Sequence, residues 1–581
     1  MADGNRKNVD TTQDVPLERL AAKAKVAPPP SPKVAEPKLP LSADAAARLE
    51  IELTEFIRQE KIELGIGIDA HFKDVVQDGF TAAQRPHTTI LVSGLTFAHD
   101  TFATAALRGL GYKVRAMDVP DVESLRFGKE FGNRGQCNPT YFTVGNLVKF
   151  LTQLRDEGMT TEQICERYIY LTAGACGPCR FGSYTTEYRK ALRDAGFDGF
   201  RVTLFQQKGG LEQGSADQAG LQMGPPFFVR ILLALMIGDA LNALMYRIRP
   251  YEVEAGATDR ALQQCRAMLV HTLETPGELP KIPLTLIRVR RTLGRIAVDR
   301  TRIKPKVGII GEFWAMTTEG DGNYKMPSFL ESEGAEVDVQ LVTAWLLYNL
   351  WEVRWDTQRR LGLSGTDGGL WGLAGKDNPG RTVWMMHAAD KALRVVFQSI
   401  ANTMGLHGYV LPDMNELAEV VKGHYHYEVR GGEGHMEVAK LILNTVHRKV
   451  NMTLSIKPFG CMPSSGVSDG VQSVVQAIHP DALYLPVETT GDGAVNVYSR
   501  VQMVLHKARQ VAQQEVATAC AENGTNLEQV QGILRRHPWL GRALHRAPHG
   551  AGCTAADVVS EVGSWLKFVP KSMPWLKQVP A

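Results

Sequence analysis

From His87 onward the chain keeps repeating one unit: a short apolar run, a helical stretch, then another apolar run. Apolar runs of strand length alternating with helices specify a parallel sheet, because each crossover lays a helix on a sheet face. The expected elements of a first series are a strand at Thr88–Ser93, a helix over about Asp100–Leu110 and a strand at Tyr112–Met117. A helix at Val144–Leu154, a strand from Tyr168, a helix from Ser183 and a strand at Phe200–Phe205 continue it. A second series starts at Lys306-Val-Gly-Ile-Ile-Gly-Glu-Phe313. It resumes after an insertion with helix Met436–Val446, strand Met452–Ile456, helix Val467–Ile478, strand Ala482–Pro486 and helix Val495–Gln510. The expected fold is therefore α/β: two Rossmann-like parallel-sheet units, with a helical insertion and a disordered N-terminal tail.

That pattern divides the 581 residues into five parts. Residues 1–41 are polar and rich in Ala, Lys and Pro, and bury too little apolar surface to offset their ordering entropy. Residues 42–86 begin with a helix capped by Ser42, its apolar face made by Leu49, Leu53, Phe56 and Ile57. Residues 87–300 form the first α/β domain and 301–515 the second, the latter with its insertion at 343–431. Residues 516–581 form a helical extension whose Arg535, Arg536, Arg542 and Arg546 read as a solvated face.

Charge and composition narrow the partners. A net charge of +3 without a basic stripe gives no footprint for nucleic acid. Eight cysteines in so long a chain are too few for a disulfide scaffold, so reduced thiols and the cytoplasm are expected. The start, Met1-Ala-Asp-Gly-Asn, lacks the apolar core of a signal peptide. Arg230, Asp239 and Arg247 interrupt the apolar run Phe227–Ile248, which reads as a buried or interfacial helix and not as a membrane span.

The chemistry gathers at cysteines in strand-to-helix turns. In Thr172-Ala-Gly-Ala-Cys-Gly-Pro-Cys-Arg-Phe-Gly182, Cys176 and Cys179 are two residues apart. Thiolates at that spacing reach one zinc or iron–sulfur centre, and the same spacing serves a thioredoxin-type redox pair. Cys137 (Gln136-Cys-Asn-Pro-Thr140) and Cys461 (Pro458-Phe-Gly-Cys-Met-Pro463) also stand where helices begin. Parallel sheets bind ligands beyond the carboxyl ends of their strands, where all four cysteines would lie. Cys165, Cys265 and Cys520 fall within helical runs and read as inert thiols, and Cys553 has no near partner in sequence.

Two other groups draw notice. His424, His426 and His435 with Glu428, Glu433 and Glu437 have the donors for a second metal, but no ordered spacing. Glu312 and Glu319 either face the cleft or cap helices. Gly372–Asp377 lacks the glycine and hydroxyl of a P-loop, and Gly308-Ile-Ile-Gly311 lacks the three-glycine dinucleotide fingerprint.

The motifs around Cys137, Cys176, Cys179 and Cys461, taken in order with Arg247-Ile-Arg-Pro-Tyr-Glu252, Gly311-Glu-Phe313 and Gly491-Asp-Gly-Ala-Val-Asn496, carry a resemblance. Together they resemble the 2-hydroxyacyl-CoA dehydratase activase-related proteins, or CoA protein activases. These are relatives of 2-hydroxyglutaryl-CoA dehydratase and benzoyl-CoA reductase subunits. The likeness covers about Thr88 to Arg509 and leaves out the insertion and both ends. It implies an oxygen-sensitive protein holding a [4Fe–4S] cluster on Cys137, Cys176, Cys179 and Cys461. It further implies low-potential electrons from a separate ATP-dependent activase or reductase, and an acyl-CoA-type substrate. Assembly as a homo- or hetero-oligomer fits such a component. Two other readings stand beside it: an electron-transfer or assembly partner with no substrate of its own, and a structural zinc protein.

Overall fold

The computed structural model describes residues 48, 52–60, 80–174, 179–204, 220–361, 378–429, 432 and 434–568. The expected tail at 1–41 and the glycine-rich stretch at 372–377 lie outside the described residues. The chain divides into two units, Met1–Val75 and Val76–Ala581. In the first, residues 52–60 are helical and exposed, with Arg58 Nε donating to Glu55 at 2.9 Å. The rest concerns the second unit.

Its first half runs β1 (Thr89–Val92), α1 (Phe97–Arg108), β2 (Lys113–Ala116), α2 (Val122–Phe131), α3 (Asn138–Asp156), α4 (Thr161–Arg167), β3 (Tyr168–Thr172), α5 (Tyr184–Asp194) and β4 (Arg201–Leu204). All strands pair in parallel, in the order β2-β1-β3-β4. Helices α6 (Pro225–Ile248), α7 (Ala257–Glu274) and α8 (Ile282–Leu293) follow.

The second half runs β5 (Lys306–Gly311), α9 (Phe313–Thr317), α10 (Met326–Ser332) and β6 (Glu336–Val339). The insertion supplies α11 (Val342–Leu361), α12 (Pro379–Met404) and α13 (Met414–Val420). The sheet resumes with α14 (Gly434–Val446), β7 (Met452–Pro458), α15 (Met462–Ser465), α16 (Gln472–Ile478), β8 (Tyr484–Thr489) and α17 (Ala494–Asn523). The order β6-β5-β7-β8, again all parallel, repeats that of the first sheet. Helices α18 (Leu527–Arg536) and α19 (Thr554–Phe568) complete the described chain.

The expected α/β architecture with two parallel-sheet units is thus the observed one. Helices α2 and α4 are additions to the sequence reading, because short amphipathic helices give weak periodicity. Helix α3 opens at Asn138, within the expected Gln136–Thr140 opening, where Pro139 suits the first turn; the helix before β8 is preceded by α15 and a wide π turn over Gly466–Val471.

The halves share a core. Phe142 of α3 and Trp314 of α9 have ring centroids 5.7 Å apart. One loop of the second half also caps two helices of the first. The Glu319 carboxylate accepts from Phe97 N (2.7 Å) at the start of α1, and Asp321 accepts from Val122 N (3.0 Å) at the start of α2.

Helix α6 is long and apolar enough by composition to cross a membrane, and 61% of its apolar window is buried inside the protein. The charge that interrupts it has a structural use. Asp239 accepts from Val342 N (2.8 Å), Thr343 N (2.6 Å) and Thr343 Oγ1 (2.5 Å), so it caps α11, and its Oδ1 lies 3.1 Å from His99 Nε2.

Candidate functional site

Both sheets point their carboxyl ends at the region where the cysteine turns lie. Cys137 is the residue before α3, in extended conformation and buried. Its Sγ lies 3.2 Å from Thr140 Oγ1 and 3.2 Å from Tyr184 Oη. Cys179 stands at the start of the 3-10 turn Arg180–Ser183 that leads from β3 into α5, so Tyr184 ties that turn to Cys137. Arg180 reinforces the tie by donating to the carbonyl of Gly135. Cys176 lies outside the described residues.

Cys461 comes from the other sheet. It precedes α15 at the end of β7 and is buried. Burial pushes its thiol well above the ordinary range, the nearby Glu312 charge adds to this, and hydrogen bonding from Ser464 opposes it.

The turns carrying Cys137 and Cys461 touch. Asn138 N donates to Phe459 O at 3.0 Å, and Asn138 Nδ2 to Thr489 O at 2.5 Å. Gly460 has φ +76, and a Cβ there would stand 3.0 Å from Gln136 O and 3.3 Å from Cys137 Cα. Glycine at this position therefore serves both the left-handed backbone and the close approach of the two turns. Residues more than three hundred positions apart in sequence meet by this contact. Among the described residues, no three His, Cys, Asp or Glu side chains gather as a group that could hold a metal ion. The described part of the expected ligand set is Cys137, Cys179 and Cys461.

The surroundings hold groups that the sequence did not single out. Glu187 of α5, buried, accepts from Asn133 N (3.1 Å), Asn133 Nδ2 (2.8 Å) and Gln136 Nε2 (2.8 Å), which fixes the loop before Cys137. Tyr170 and Tyr188 share a hydrogen bond at 3.2 Å behind it. Asp100, in the first turn of α1 past β1, accepts from Leu95 N at 3.3 Å. Burial raises its carboxyl to about 7, against a smaller opposing effect of His99. No sequence signal separates Asp100 from an ordinary acid in a helix's first turn. Glu437 accepts from Ser464 Oγ at 2.8 Å, which places a carboxylate behind the Cys461 turn.

Glu312 and Glu319 resolve as caps. Glu312 accepts from Ala315 N at 2.8 Å, and Glu319 reaches across to α1. The Glu312 charge still raises both Cys461 and Tyr184, so it lies close to the two turns.

The histidine group separates. His424 and His426 are exposed, while His435 opens α14, buried between Tyr348 and Trp351 with ring centroids at 5.1 and 5.2 Å. Among the described residues neither ring nitrogen of His435 has a hydrogen-bond partner, and burial lowers its pKa to about 4. Glu433 lies outside the described residues. Of the remaining thiols, burial raises Cys265 to about 12 and Cys553 to about 11, and it raises Cys165 and Cys520 as well. None of these four has the low pKa of a reactive thiol.

No protein-family model matches this chain, and no curated protein matches it. The fit of the cysteine region to an iron–sulfur group therefore rests on its donors. Cys137 and Cys461 are soft donors at helix starts, shielded from water, on turns in direct contact. Burial raises the Cys461 thiol, so metal binding there would displace its proton to solvent.

Proposed function

We propose that this chain is a cytoplasmic iron–sulfur protein of the 2-hydroxyacyl-CoA dehydratase/activase type. Cys137, Cys176, Cys179 and Cys461 would hold a [4Fe–4S] cluster. A separate ATP-dependent activase or reductase would deliver low-potential electrons for reduction or dehydration of an acyl-CoA-type substrate. When bound, the cluster supplies one-electron transfer. The observation carrying this reading is the contact between the Cys137 and Cys461 turns, through Asn138 N and Phe459 O at 3.0 Å.

The chain's own groups have definite roles in this scheme. Tyr184 Oη and Thr140 Oγ1 are placed to donate to sulfur at Cys137, which stabilises negative charge there. The Glu312 charge acts in the opposite sense at Cys461, and a cluster held there would have its electron affinity tuned by the balance of the two. Asp100 keeps its proton to about pH 7 at the carboxyl edge of the first sheet, where a proton donor serves loss of a hydroxyl.

The test is anaerobic purification with iron and sulfide counted per chain. Wild type is expected to be brown, with iron and sulfide in equal amounts. Cys179→Ser should be folded and largely colourless, and Cys265→Ser should keep its full iron. Zinc without sulfide in the wild type, or an unchanged Cys179→Ser spectrum, would defeat the assignment. Spectral change on titrating the reduced protein with an acyl-CoA separates an enzyme component from a carrier of electrons.

A further inference from the structure

A cavity of about 400 Å³ lies beside the edge strand β6, enclosed by α6, α14, the loop between α12 and α13, and the loop before α19. Its wall holds six cationic side chains, Arg247, Arg300, Lys306, Lys440, Lys449 and Arg546, against the three carboxylates Glu336, Asp338 and Asp557.

The carboxylates do not balance the cations. Glu336 is taken by Lys306 (3.1 Å), Tyr251 Oη (2.8 Å) and Thr554 Oγ1 (2.6 Å). Asp557 accepts from Gly550 N (2.8 Å) and Ala551 N (2.9 Å). Asp338 is exposed. Arg300 turns to backbone carbonyls, Arg542 O at 2.7 Å and Ala543 O at 2.6 Å.

Arg247 has no counter-ion among the described residues, and its Nη2 is shut off from solvent without any hydrogen-bond partner. Burial first, and then the charges of Arg300 and Arg546, lower its pKa to about 9, against a smaller opposing effect of the Glu336 charge. Lys440 likewise makes no ion pair among the described residues, and burial lowers it to about 8 against a smaller opposing effect of the Asp338 charge. A guanidinium nitrogen shut off from water and left unpaired among other cations is destabilising. Such an arrangement is stabilised when an anion enters.

We propose that this cavity binds a small organic phosphate, with the phosphate on Arg247 and Lys440. Guanidinium and ammonium groups in one pocket match a multiply charged phosphate better than a single carboxylate. Tyr246, Tyr409, Leu406 and Leu417 give the organic body an apolar wall. The volume suits a molecule of nucleotide size and excludes a nucleic acid duplex.

The site is separate from the cysteine turns. Lys306 opens β5 and Lys449 precedes β7, whereas Glu312 and Cys461 follow those strands. At about 3.3 Å per residue, the two ends of the sheet are roughly 20 Å apart. The ligand would therefore act at a distance from the proposed cluster, and the inference does not depend on the iron–sulfur reading.

Calorimetric titration and thermal melting with ADP and with inorganic pyrophosphate, at fixed ionic strength, test it. ADP should raise the melting temperature by several degrees and bind about tenfold more tightly than pyrophosphate. Arg247→Gln with Lys440→Gln should weaken ADP about a hundredfold, and its ligand-free melting temperature should equal or exceed that of wild type because repulsion is relieved. If that double variant fails to fold, Arg546→Gln at an exposed position should still weaken ADP about tenfold. Absence of binding to either probe, or full affinity in a folded Arg247→Gln protein or in Arg546→Gln, would overturn the site. Equal affinity for the two probes would overturn its organic half.

Discussion

The two halves have the same strand order, yet they furnish the carboxyl edges of their sheets differently. After the first strand, each half places an acid. Burial raises the Asp100 carboxyl to about 7, while Glu312 is spent on the cap of α9. After the third strand, each places cysteine: Cys179 with Cys176 in the first half, Cys461 alone in the second. Between the second and third strands the halves part. The first has Cys137 ahead of α3, and the second has His435 in α14. The difference teaches that a repeated topology repeats the positions where chemistry can sit, not the chemistry itself. One side of the junction is rich in thiols, and the other supplies one thiol with a neutral imidazole and a carboxylate behind it.

The largest test of that asymmetry removes thiols one at a time. Cys461→Ser should lose as much iron and sulfide as Cys137→Ser, since the proposed cluster needs both halves. Retention of full iron by Cys461→Ser would confine any metal to the first half.

The next contrast is in pH. Asp100 ionises near 3.8 when unfolded and near 7 when folded, so its contribution to stability is whole below pH 4 and is lost as pH rises to 7. At about 1.4 kcal/mol per pH unit, Asp100→Asn should be about 4 kcal/mol more stable than wild type at pH 8, and no more stable near pH 4. His435 runs the other way. Its folded pKa of about 4 lies below the unfolded 6.5, so stability is present above pH 6.5 and is lost as pH falls toward 4. His435→Phe should remove about 3 kcal/mol of that acid sensitivity. Urea unfolding across pH checks both, and parallel pH profiles for the two variants would erase the contrast.

Smaller effects probe the contact itself. Gly135 and Gly460 both have positive φ, +79 and +76, but a Cβ at Gly135 meets none of the described residues within 4 Å. Gly135→Ala should cost about 1 kcal/mol for the backbone alone. Gly460→Ala should cost about 3 kcal/mol, because Gln136 O and the Cys137 backbone must give way. Equal costs in denaturant would mean that the turns separate freely. As small as the Gly135 effect, Tyr184→Phe should cost about 1 kcal/mol by leaving Cys137 Sγ with one hydroxyl neighbour fewer.

Much of this arrangement is legible in the order of residues. Apolar runs such as Thr88–Ser93 and Lys306–Ile310 alternate with helices, and a right-handed crossover leaves such strands little choice but a parallel sheet. The turn positions of Cys137, Cys179 and Cys461 follow from Pro and Gly beside them. Boundaries were less legible where tertiary contacts select them. Val122–Phe131 holds as a helix with Asp121 and Asp321 at its start, and Asp321 comes from the other half.

What the sequence by itself determined is local: the period of apolar residues, the strand-to-helix turns, and which turns carry thiols. Tertiary structure decided the rest, because distance and dielectric are properties of the fold. It brought Asn138 to Phe459, and drew Asp100 and His435 away from water so that their proton affinities moved in opposite directions. It split His435 from His424 and His426, and gathered Arg247 and Lys440 around a cavity though nearly two hundred residues lie between them. A carboxyl or guanidinium has the same intrinsic chemistry anywhere in a chain. What it does is set by the water removed from around it and by the charges the fold leaves beside it.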